Sequence, residues 1–106
     1  MSFLAKLLGS NNTSNEQLGE VIKNGALLVD VRSKPEFQSG SAKGAKNIPL
    51  ETIVQRLDEF KNKENIVVFC RSGNRSAQAK RVLESKGFSN VINGGTWQEV
   101  NAAANS

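Results

Sequence analysis

Cys70 is the sole thiol of the chain, and it opens the run Cys70-Arg71-Ser72-Gly73-Asn74-Arg75-Ser76. The apolar segment NIVVFC delivers it, and a helix-like pattern follows. These residue types suit the stabilisation of an anionic sulfur nucleophile. Gly73 takes backbone angles that other residues resist, so neighbouring N–H groups can converge on one point. The helix beyond adds its unpaired N-terminal amides and the positive end of its dipole. Arg71 and Arg75 bring two cations to the same rim. A free thiol with a pKa of ~8.5 is only ~3% thiolate at pH 7, and a depression of about two units makes it roughly three-quarters thiolate. Two units correspond to ~2.7 kcal/mol of preferential stabilisation of the anion. Lone cysteines are often inert small hydrophobes. A polar, glycine-containing turn flanked by arginines argues instead for reactivity.

What the chain lacks narrows the chemistry. It has no histidine, which excludes Cys-His and Ser-His pairs and, with a single cysteine, a zinc site and an internal disulfide. No metal and no organic cofactor is implied. The formal charge of +4 comes from basic residues interleaved with acidic ones, without the dense basic block of a nucleic-acid binder. No apolar run approaches the ~20 residues of a membrane-spanning helix. The opening MSFLAKLL lacks the basic n-region and long h-region of a secretory signal, so the cytosol is the expected compartment. Phe3, Leu4, Leu7 and Leu8 share one helical face, compatible with a small docking helix, a membrane-surface contact or a lightly packed terminus.

The elements that must position the thiol follow from periodicity. Ser14 and Gln17 have capping-box spacing, and Leu18, Val21 and Ile22 recur at helical intervals until Asn24-Gly25. ALLVDVR and NIVVFC are apolar throughout, as strands covered on both faces are. Between them, residues 34–49 form a winding connection with a helical turn at Pro35–Gln38 and a short extended piece at Ala45–Ile48. Leu50, Ile53, Val54, Leu57 and Phe60 predict an amphipathic α-helix. Ala79, Val82 and Leu83 stripe the helix after the cysteine loop, which Gly87 ends. FSNVINGG predicts a third strand, and Thr96 with Glu99 repeats the capping-box spacing for a last helix. Alternating strands and helices imply a mainly parallel central sheet with helices on both faces, and ligands bind at the carboxyl ends of such strands. Residues 1–13 are expected to be a terminal segment and polar linker, and residues 14–104 one domain.

CRSGNRS, between a buried strand and a helix, resembles the active-site loop of rhodanese-like sulfurtransferase domains. LLVDVRSKPEFQSGSAKGAKNIP is similar to that family's Asp-Val-Arg segment, Glu-Phe pair and Gly-Ala-x-Asn-Ile-Pro turn, and FSNVINGGTWQE to its Gly-Gly and aromatic helix. The resemblance implies a three-layer α/β/α domain and a cysteine that accepts sulfane sulfur as a persulfide. It implies Cys70 as the nucleophile, and Arg71, Ser72, Gly73, Asn74, Arg75 and Ser76 as the substrate-binding loop. The amides of Arg71 to Arg75 would hold the outer sulfur, and the Arg71 and Arg75 side chains an anionic donor such as thiosulfate. The expected acceptor is cyanide or a thiol, including a protein thiol. Asp30, Arg32 and Glu36 match positions with a structural role, through an expected Arg32–Glu36 pair. Ser41-Ala42 replaces a His-Ile pair found in many members, with altered packing and no lost activity expected.

Two other readings share these residues. Cysteine-dependent phosphatases and arsenate reductases typically hold the cysteine and arginine with five residues between them, whereas four, Arg71 to Asn74, intervene here. The loop also holds no Asp or Glu to protonate a leaving group. A non-catalytic rhodanese-like binding module would be expected to have lost the cysteine or the glycine, and both are present.

Overall fold

The computed structural model describes residues 15–105. Its elements are α1 (Asn15–Lys23), β1 (Leu27–Asp30), α2 (Lys34–Gln38), β2 (Lys46–Asn47), a 3₁₀ segment (Leu50–Phe60), β3 (Ile66–Cys70), α3 (Asn74–Ser85), β4 (Val91–Thr96) and α4 (Trp97–Ala104). The expected Ser14 cap and the Phe3–Leu8 face lie outside the described residues. No helix among the described residues is long and apolar enough to cross a membrane.

The strands pair in parallel in the order β2-β1-β3-β4. All of β3 is buried, and its side chains alternate between two cores. Ile66, Val68 and Cys70 join Ile53, Phe60, Ala79 and Leu83 under the 3₁₀ segment and α3. Val67 and Phe69 join Leu18, Val21, Val100 and Ala103 under α1 and α4. The result is the expected α/β fold with helices on both faces. The same alternation aims the Cys70 side chain at the N-terminal end of α3.

Two elements depart from their sequence patterns. The segment expected to be an α-helix is a 3₁₀ segment with a kink at Arg56 (φ −124°, ψ 30°). With three residues per turn, Leu50 and Ile53 align before the kink and Leu57 and Phe60 after it, so Val54 turns outward and is 53% exposed. The expected strand at Phe88–Gly95 begins instead at Val91 and continues to Thr96. Phe88 lies ahead of it and packs edge-on against Phe60, ring centroids 6.1 Å apart.

The β3–β4 register shifts at Val68/Phe69, where Val68 pairs with Asn93 and Phe69 with Gly95. Gly94 is the extra residue, and a Cβ there would come within 2.8 Å of Val100 Cγ2 and Val67 Cγ1. Close packing of α4 onto β3 therefore requires glycine at this position.

Candidate active site

The sheet order reverses between β1 and β3, so the loops leaving their carboxyl ends diverge and leave a crevice. The loop after β1 is anchored by a buried ion pair. Arg32 donates to both carboxylate oxygens of Asp30, the shortest contact being Nη2 to Oδ2 at 2.7 Å. The Arg32 N–H and the Ser41 hydroxyl also donate to that carboxylate, at 2.9 and 2.7 Å. Arg32 further donates to the Gly40 carbonyl at 2.6 Å and lies 5.5 Å from the Trp97 ring centroid. Every charge is met by opposite charge or a dipole, which is what makes burial tolerable. Ser41, at the departure from the family pattern, is thus a donor to this pair.

The expected Arg32–Glu36 pair does not form. Arg32 is committed to Asp30, and Glu36 pairs with Arg75, Nη1 to Oε1 at 2.8 Å and Nη2 to Oε2 at 3.0 Å. Glu36 is also the N3 residue of a capping box on Ser33 at the start of α2. Hydrogen bonds from Arg75 and then Ser33 hold its carboxyl down to about 2. Arg75, expected to bind the donor, has its charge offset by Glu36, and the pair ties α2 to α3. Arg71 is exposed, with no ion pair to another described residue. Ser72 on the same loop and Asn74 at the start of α3 are also exposed.

Cys70 is fully buried at the end of β3. Gly73, the N-cap of α3, has φ +95° and ψ −11°, a left-handed conformation that aims its N–H back at the sulfur. That N–H donates to Cys70 Sγ at 3.0 Å, and Ser76 Oγ lies 3.5 Å from Sγ. Burial pushes the thiol pKa up. Hydrogen bonds from the Ser76 hydroxyl and from the N–H groups of Ser76, Ser72 and Gly73 outweigh it and leave the pKa below its ordinary value. The hydrogen bonds are the largest of the lowering causes, so the cradle is made chiefly of dipoles, and the Arg75 charge also attracts the thiolate.

Asn93 was absent from the sequence-derived set. Its Oδ1 accepts from the Ser76 hydroxyl at 2.7 Å and the Gly95 N–H at 3.0 Å, while Nδ2 donates to the Gly73 carbonyl at 3.3 Å. Its one sequence signal is an amide that follows the apolar pair Val91-Ile92, just before the glycine pair.

A parallel sheet flanked by helices, with a cysteine cradled by amides between a β-strand and a helix N-terminus, defines a class of α/β domain with a thiol at the carboxyl end of its sheet. The chain belongs to the rhodanese-like domain family, whose sequence profile matches residues 14–101. It is similar to a sulfurtransferase of Allochromatium vinosum, 33% identical over 85 residues that cover 78% of this chain and 79% of the relative. It is also 32% identical over 74 residues to the thiosulfate sulfurtransferase PspE of Escherichia coli, covering 68% of this chain and 71% of that protein. A solved structure described as rhodanese with anions from E. coli superposes with a TM-score of 0.64 at 31% identity, covering 71% of this chain and 91% of the other. The chain spans 54% of the length of another relative, the uncharacterized Bacillus subtilis protein YqhL, at 35% identity over 68 residues that cover 64% of this chain. The family and the two relatives named as sulfurtransferases support a sulfurtransferase-type function.

Proposed function

We propose that the chain transfers sulfane sulfur through a persulfide on Cys70. The observation that carries this reading is a buried thiol at a strand end, with the Gly73 N–H 3.0 Å from Sγ and a pKa held down by neighbouring dipoles. In the first half-reaction the Cys70 thiolate attacks the outer sulfur of the donor. The donor S–S bond breaks heterolytically, its electron pair leaves with sulfite or a thiolate, and Cys70 keeps the outer sulfur as an anionic persulfide. Cyanide or a thiolate then attacks the terminal sulfur, and Cys70 Sγ departs as the thiolate that began the cycle. Fixed amides face negative charge in both steps, so the backbone of the cradle need not reorganise as it moves. Arg71, exposed at the rim, attracts the anionic donor. The relative named a thiosulfate sulfurtransferase supports thiosulfate as a donor. The phosphoester reading has less support, because the nearby carboxylate Glu36 is bound by Arg75 and is ionised well below neutral pH, unfit as a general acid.

Intact-mass spectrometry tests the proposal. Thiosulfate should add about one sulfur mass that cyanide removes, and Cys70→Ser should take up none. Transfer by Cys70→Ser at the rate of the parent chain would overturn the assignment. No adduct from thiosulfate or polysulfide would overturn sulfur transfer.

A further inference from the structure

Asn93 touches three parts of the cradle. It is the last β4 residue before the register shift, paired with Val68, and therefore on the face that carries Cys70. Its amide orientation is fixed by two backbone groups. The Gly95 N–H can only donate, so it meets Oδ1, and the Gly73 carbonyl can only accept, so it meets Nδ2. Since Oδ1 accepts only, the Ser76 hydroxyl, 2.7 Å away, is the donor in that contact.

We propose that Asn93 is a positioning residue for the Cys70 thiolate, acting through the Ser76 hydroxyl and the Gly73 peptide. The Ser76 hydroxyl has one proton and three acceptors in reach: Asn93 Oδ1 at 2.7 Å, the Gly73 carbonyl at 3.1 Å and Cys70 Sγ at 3.5 Å. While the sulfur carries its proton, S–H donates to Ser76 Oγ and Ser76 donates to Asn93. When the sulfur is anionic, the hydroxyl turns to it, and Asn93 Oδ1 keeps the Gly95 N–H, so neither acceptor is left bare. The same turn serves whenever Cys70 Sγ leaves as a thiolate. Meanwhile Nδ2 holds the Gly73 peptide whose N–H faces the sulfur.

The role rests on Cys70 being the reacting thiol, yet its test needs no sulfur donor. Because Cys70 is the sole thiol, iodoacetamide alkylation across pH reports its thiolate alone. Asn93→Ala releases the Gly73 peptide, which raises the alkylation midpoint, and frees the Ser76 hydroxyl for the thiolate, which offsets part of that rise, so a net rise of up to about half a pH unit is expected. Asn93→Asp, isosteric but anionic, should raise it further, because a like charge beside the thiolate opposes ionisation. In a Ser76→Ala background, where no hydroxyl can be freed, Asn93→Ala should raise the midpoint by more than it does alone, by about half to one pH unit. Thermal unfolding of the same samples separates fold from site: a lower midpoint of melting with an alkylation midpoint that Asn93→Ala leaves unmoved in the Ser76→Ala background would make Asn93 merely structural and overturn the proposal. Should Asn93→Ala not fold, the isosteric Asn93→Asp carries the same test, and an unmoved midpoint there overturns it equally. Absence of the persulfide would sink sulfur transfer while leaving these shifts as predicted.

Discussion

Gly73→Ala would separate the demand for backbone conformation at the cradle from any demand for space. Gly73 holds φ +95°, and the nearest atom to a Cβ built there is Gly95 Cα at 3.8 Å, an ordinary contact. The left-handed conformation costs an alanine about 1–2 kcal/mol. Restricting the unfolded chain returns about 0.4–1 kcal/mol of that. A net cost of about 1 kcal/mol remains, and it has two places to appear. If the loop keeps its shape, the cost is lost stability, about 4–8 °C in melting temperature for a domain of this size. If the loop relaxes, the Gly73 N–H moves off Cys70 Sγ and the thiol pKa rises by up to about one unit, since each unit is 1.36 kcal/mol. Thermal unfolding and pH-dependent alkylation on one sample read both. Gly73→Asn should recover a large part of either effect, because asparagine tolerates this region. An alanine variant unchanged in both measurements, or an asparagine variant no better than alanine, would refute the reasoning.

Three further outcomes are expected. Arg71→Ala should slow transfer from an anionic donor more than from an uncharged one in parallel steady-state assays, and equal loss would show that its charge does not meet the donor. Gly94→Ala, with its Cβ 2.8 Å from Val67 and Val100 methyls, should destabilise by about 1–3 kcal/mol in denaturant titrations through overpacking. In acid, Glu36 has its folded pKa lowered from 4.5 to about 2 by Arg75 and Ser33, so its contribution is present above 4.5 and lost as pH falls through 2. Its side chain is about one-third exposed, so solvent screening limits the pair to about 1 kcal/mol. Glu36→Gln should flatten that part of the acid stability profile, leaving the part from Glu59, lowered to about 2 by Arg56 and then Lys46.

The parallel sheet was legible because Leu28, Val29 and the whole of β3 are buried, and double-sided burial leaves continuous apolar runs. Cys70 was legible because β3 ends where the polar loop begins. The Thr96–Glu99 capping box was legible because its partners lie three residues apart. Pairing across the fold was not. Glu36 and Arg75 lie 39 residues apart in the chain, and nothing local reveals that Arg32 would turn to Asp30 and leave Glu36 for Arg75. The 3₁₀ segment was missed because apolar spacing at 50, 53, 57 and 60 serves either helix until Arg56 breaks the period. Asn93 was missed because its partners come from the register shift and from α3, both tertiary.

Glu36 serves two masters: one carboxylate completes the Ser33 cap of α2 and grips Arg75 of α3. A change at position 36 therefore unfastens both helices at once, and no change at position 33 or 75 alone can restore it. Across related chains these three positions should vary as a set, with Glu36 exchanged only where a different cap and a different partner for the arginine arise together.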